Sequence, residues 1–122
     1  MSKQQNKVSA ILSTMFHDLK EEVVLSKITG HLIHKGIRAD IWIESANLLV
    51  EIHGQQHFIP SSFGMTEIQS KVKFNRQMDR DSKLVSVCKD FDINYEQVDY
   101  NQETTLFSMY KQFSKYLVIE NV

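Results

Sequence analysis

Arg38 to Phe58 reads RADIWIESANLLVEIHGQQHF. Two runs rich in β-branched and apolar residues, residues 38–43 and 48–53, flank the polar quartet Glu44-Ser45-Ala46-Asn47. Such runs around a turn-like quartet predict a β-hairpin, and a four-residue loop is a common connection. Pairing Ile43 with Leu48 and counting back along both strands sets Asp40 opposite Glu51. Opposed residues of an antiparallel pair share a face, with Cβ atoms roughly 4.5–5.5 Å apart. Two carboxylates at that spacing repel unless a cation lies between them. Solvation would explain either carboxylate alone, but it does not explain the opposed pair. Alternation adds His53 to the face of Glu51. The hairpin therefore predicts a cation site formed by Asp40 and Glu51. Hard oxygen ligands suit magnesium, manganese or calcium, and magnesium completes its shell with water and substrate phosphate, which fits a phosphodiester substrate. His53 is placed to orient or deprotonate an attacking water, or to steady charge on the phosphate.

The rest of the chain bounds what this site can belong to. Its 122 residues predict one domain. Apolar residues make up 42% and charged residues 24%, ordinary values for a soluble globular chain. A single cysteine, Cys88, excludes an intrachain disulfide and points to a reducing, cytoplasmic compartment. The polar start MSKQQNKVSA predicts no signal peptide, and no apolar run is long enough for a membrane span. With a formal net charge of −1, any nucleic-acid binding must rest on a local basic patch.

Val8, Leu12, Met15, Leu19 and Glu22 fall at helical spacing and predict a first helix that carries the carboxylate of Glu22 toward the site. Leu32-Ile33, between Gly30 and Gly36, predicts a short edge strand. The stretch 58–70, with Pro60 and Gly64, predicts a surface loop in which Phe63 and Met65 cover the core. A second helix is expected over about 70–90 with Phe74, Met78, Val85 and Cys88 inward, then a strand at 93–98. A last helix is expected after a cap at Asn101, Thr104 or Thr105, with Leu106, Tyr110, Phe113 and Leu117 along its core face. This order predicts an α/β or mixed α+β fold, a central mixed sheet flanked by helices.

Lys73, Arg76, Arg80 and Lys83 step by 3, 4 and 3, so four cations share one face of the second helix. A solvated face is the usual account of such a run, and Asp79 and Asp81 dilute it. Beside a carboxylate site, however, the stripe is what phosphate-backbone contact requires. His57 follows His53 by four residues, a zinc-binding spacing on a helix, but this pair begins in a strand and straddles Gly54. His17, His31 and His34 read as structural, and Trp42 as a sheet-packing residue.

An aspartate ending one strand and a glutamate in the next, with a polar group after one intervening residue, resemble the PD-(D/E)XK nuclease superfamily. The similarity is closest to the branch of the very-short-patch repair endonucleases and their homing-endonuclease relatives. It runs through Asp40, Val50-Glu51-Ile52-His53 and Gly54-Gln55-Gln56-His57, and on through Asn75–Arg80 to the strand at Ile93. It covers about residues 20–100. The resemblance implies a restriction-endonuclease-like fold with a catalytic hairpin and a metal-dependent cut of a DNA phosphodiester. By that analogy Asp40, Glu51 and the Ile52 carbonyl hold Mg2+, with Mn2+ as a substitute. His53 takes the place of the usual lysine, while Gln56 and His57 contact phosphate or assist the water. Glu22 matches a helix carboxylate that some members use. The chain departs from the pattern at Ala39, which takes the place of the proline before the motif aspartate, and at His53, which takes the place of the lysine.

The resulting expectation is an endonuclease acting on duplex or branched DNA, working as a homodimer and independent of membranes. Its rivals are a non-catalytic nucleic-acid-binding module and an interaction subunit that keeps the fold.

Overall fold

The computed structural model describes residues 2–55, 58 and 64–117. Strand β2 (Arg38–Ile43) pairs antiparallel with β3 (Leu48–His53) in the anticipated register, through Ile43↔Leu48, Trp42↔Leu49 and Ile41↔Val50. The connecting quartet makes one turn of 3-10 helix, Glu44–Ala46, closed by Asn47 at φ 48°. Asparagine tolerates this left-handed conformation, and its amide also donates to the Asp92 carbonyl at 2.6 Å.

Strand β1 (Leu19–Val24) extends the hairpin antiparallel on the β2 side, and β4 (Asn94–Asp99) pairs in parallel with β3. The sheet order is β1-β2-β3-β4. A parallel neighbour needs a long crossover, and α3 (Glu67–Asp90) lies within it. Helices cover both faces. On one, α1 (Lys3–Ser13) and α4 (Leu106–Phe113) pack Val8, Leu12, Met109 and Phe113 with Val50 and Val98. On the other, the short α2 (Leu25–Thr29) and α3 pack Leu25, Leu84, Val87 and Cys88 with Leu49 and Ile93. The protein is a mixed α/β structure with a four-stranded mixed sheet. All six residues of the central strand β3 are buried, Glu51 and His53 among them, so both must find polar partners.

Several expectations are overturned. The first helix stops at Ser13, where the hydroxyls of Ser13 and Thr14 donate to the Ser9 and Ile11 carbonyls. Such back-bonding competes with continuation of the helix. The apolar spacing misled because Met15, Phe16 and Leu19 pack on the same core after the helix has ended. Leu19–Val24 form an edge strand, β1, with β4 at the other edge. Leu32–His34 is a turn of 3-10 helix, set off from α2 by Gly30 at φ 78°, and Leu32 is exposed. In α3 the buried residues besides Cys88 are Ser70, Leu84 and Val87, whereas Met78 and Val85 are exposed. In α4 the core face is Met109 and Phe113, with Leu106 and Tyr110 exposed. Thr105 is its N-cap, accepting from the Ser108 amide.

Helix α3 begins at Glu67 under a capping box between Thr66 and Gln69. Of the loop expected over 58–70, residues 59–63, Phe63 included, lie outside the described residues, and 67–70 belong instead to the first turn of α3. Among the described residues no helix is long and apolar enough to cross a membrane.

Candidate active site

The hairpin register carries Asp40 and Glu51 to the same level, and their carboxylates interlock with the backbone. Glu51 Oε2 accepts from the Asp40 amide at 2.8 Å, and Asp40 Oδ2 accepts from the Ile52 amide at 2.8 Å. One oxygen of each acid is thereby held by the strand opposite it. Burial pushes Glu51 up to about 9, and the Asp40 charge adds to that rise. Burial also raises Asp40, opposed by the Ile52 amide and by its bond with Glu51. At neutral pH the pair therefore retains a proton in the absence of a cation.

Glu22 reaches this pair from a strand, not from a helix. It stands on β1 at the position opposite Asp40, in a register unbroken on either side, with φ 53°. A left-handed conformation inside a strand is strained for any residue with a Cβ, and such strain gathers at functional sites. Glu22 is exposed at the rim, near enough for its charge to raise Asp40. The buried Gln5 of α1 holds it there, donating to Glu22 Oε1 at 3.0 Å while lying 3.5 Å from the Asp40 carbonyl. Glu22→Gly and Glu22→Ala lose the same carboxylate and differ in backbone freedom. The glycine variant is expected to be more stable than the alanine variant by about 1 kcal/mol in urea unfolding. Equal midpoints would show that the bend at Glu22 stores no strain.

His53, on the same face two residues beyond Glu51, lies 3.9 Å from Asp81 of α3 through Nε2. Asp81 is in turn held by the Gln77 amide at 3.1 Å. In β4, Gln97 stands beside Glu51 and Asp99 beside His53. The Gln97 amide is fixed at both ends, accepting from the Tyr95 hydroxyl at 3.2 Å and donating to Asp99 at 2.6 Å. Gln5, Asp81 and Gln97 were not singled out by the sequence. Asp81 appears there only as a negative charge diluting a basic helix.

The cations expected on α3 are all exposed. Lys73, Arg76 and Arg80 line a groove of about 450 Å3 with Ile68, Val72 and Gln77, and Lys83 is not part of that lining. Gln77 joins groove and site, because the same side chain lines the groove and bonds Asp81. Gln56 and His57 lie outside the described residues.

Among the described residues, no three His, Cys, Asp or Glu side chains converge into a set for a metal ion. What the site offers is two buried carboxylates, a donor set that suits a hard cation only when water or a ligand oxygen completes the shell. His31 and His34 prove to be part of a structural cluster around Phe91, with His34 Nδ1 2.8 Å from the Thr29 hydroxyl. No family model, no curated protein and no solved structure matches the chain.

Proposed function

We propose that this protein is a magnesium-dependent endodeoxyribonuclease with a restriction-endonuclease-like fold. The observation that carries the reading is the opposed pair Asp40 and Glu51, buried together on a central hairpin with Glu51 raised to about 9. Two facing buried acids cost stability when both are ionised, and a bound cation removes that cost. The mixed sheet with helices on both faces, and the hairpin at its centre, agree with the PD-(D/E)XK resemblance.

In this reading Asp40 and Glu51 hold Mg2+, or Mn2+ in its place, together with the Ile52 carbonyl. The cation would neutralise the charge that develops at the scissile phosphate. His53, steadied by Asp81, faces the phosphate from the neighbouring position on β3 and serves there as proton carrier or hydrogen-bond donor. Glu22 adds a carboxylate at the rim. Lys73, Arg76 and Arg80 guide the DNA backbone along the α3 groove, and Lys83 adds charge outside it. A reducing, cytoplasmic setting suits the lone buried thiol of Cys88. The apolar face of α4 supports a homodimer.

Supercoiled plasmid and a branched DNA, each with Mg2+, Mn2+ or EDTA, test the proposal. Nicked or linear product with either metal and none in EDTA is the expected result. Binding without cutting under both metals would replace it with the non-catalytic module.

A further inference from the structure

Beside the acid pair lies a second cavity, of about 370 Å3, roofed by α3 and floored by β3 and β4. His53 forms part of its wall, and so does Gln97, which stands beside Glu51 on the next strand, so the cavity adjoins the site. Its other surfaces are of two kinds. Phe58, Met78, Val85 and Tyr95 are apolar and broad, while Asp81 and Gln97 are polar. Met78 and Val85 stand two turns apart on α3 and were left out of the core. Phe58 stacks at a tilt against both His53 and Tyr100, with ring centroids 6.2 and 5.6 Å apart, and the Phe58 and Tyr100 rings are solvent-facing.

Apolar walls with a few fixed polar groups describe a small-ligand pocket, and this one is at the small end of the usual range. The Gln97 amide is oriented by Tyr95 and Asp99. An amide has two N–H bonds and two oxygen lone pairs, so one donor and one acceptor remain in a known plane. That pattern matches the edge of a nucleobase, and the Asp81 carboxylate on the α3 wall adds negative charge. The same carboxylate repels phosphate, so the base and not the backbone is the part that enters.

We propose that this cavity receives one unpaired nucleobase, whose phosphodiester then lies at Asp40 and Glu51. This rests on the nuclease reading above and narrows its substrate to DNA with an unpaired nucleotide. A base inside a duplex has both faces covered by its neighbours and reaches such a pocket only when extruded.

The test uses wild-type protein in EDTA, where binding is read without cleavage. Two fluorescein-labelled DNAs that share one 2-aminopurine-containing strand are compared by anisotropy. One is fully paired, and the other carries a single unpaired 2-aminopurine, whose emission reports stacking. Affinity about tenfold higher for the unpaired probe is expected, with quenched emission, the scale of one base stacked on aromatic side chains. Val85→Trp, which fills the cavity from a solvent-facing position, and Gln97→Leu should each bring that affinity down to the paired value. Equal affinities in the wild type, or a preference that survives both variants, would overturn the proposal. Plasmid cutting without any preference would remove the pocket and leave the nuclease. A preference without cutting would do the reverse.

Discussion

In Glu51→Gln, metal-free protein is expected to hold its melting temperature nearly level from pH 5 to pH 9, while the wild type loses stability across the same range. Glu51 titrates near 4.5 when unfolded and at about 9 when folded. Between those values the unfolded chain has released a proton that the folded chain still holds, so raising the pH favours unfolding. The contribution is fully present below pH 4.5 and fades as pH approaches 9, by at most about 1.4 kcal/mol per pH unit. Asp40, also raised by burial, acts in the same direction and leaves the variant with a residual slope. Glutamine keeps the shape and cannot ionise. Magnesium should restore wild-type stability at pH 8.5, do little at pH 5, and do little to the variant at either pH. Cleavage by the variant should fall by at least about 10²–10³-fold, the effect of removing one charge-stabilising group from an active site. Superimposable pH profiles for the two proteins would show that Glu51 carries no such proton.

Phe113→Asp is expected to abolish cooperative folding, and Phe107→Asp to leave it intact. Phe113 is fully buried with Val8, Leu12, Val98 and Met109 between α1, α4 and the sheet. Truncating a buried phenylalanine costs about 3–5 kcal/mol, and a carboxylate in its place adds desolvation. That sum reaches the whole stability of many small domains, about 5–15 kcal/mol. Phe107, six residues earlier on the same helix, is 73% exposed. A surface change of this kind moves stability by about 0.5 kcal/mol or less. Phe107, Leu106 and Tyr110 line an apolar groove of about 330 Å3 together with Ile11 of α1 and Met15 just beyond its end. If that face joins two copies, light scattering will report a dimer for the wild type and a monomer for Phe107→Asp. A dimer in both would place the contact elsewhere.

The hairpin was legible because period-2 alternation and a four-residue turn fix a register almost uniquely, and the register alone sets Asp40 against Glu51. The flanking helices were legible in type but less so in face. Helix α4 presents Leu106 and Tyr110 outward and Met109 inward, because a surface helix with apolar residues all round offers more than one stripe. Helix α3 is polar over most of its length and buries only its last turns with Ser70 near the start, so Met78 and Val85 matched an inward spacing without packing there. Strand β1 was hidden by apolar residues that continue a helical spacing beyond the helix. Glu22 was thus named for the right neighbourhood and given the wrong element. Gln5, Asp81 and Gln97 carry no local signal at all. Their roles arise from contacts between elements distant in sequence, which a single pattern along the chain does not encode.

The parallel pairing of β3 with β4 bears on the order in which the site is built. The two acids belong to one hairpin, a local structure that closes in microseconds. Gln97 and Asp81 join only after the crossover through α3 is complete, and pairings between distant segments are intrinsically slower. Until α3 seats itself on the sheet, Glu51 remains hydrated and gives up its proton readily. Its capture of that proton therefore reports the final docking step. Refolding at pH 7.5 in a weakly buffered indicator dye should show a late alkaline drift that coincides with the last phase of compaction, and the clock for that step is the arrival of a helix.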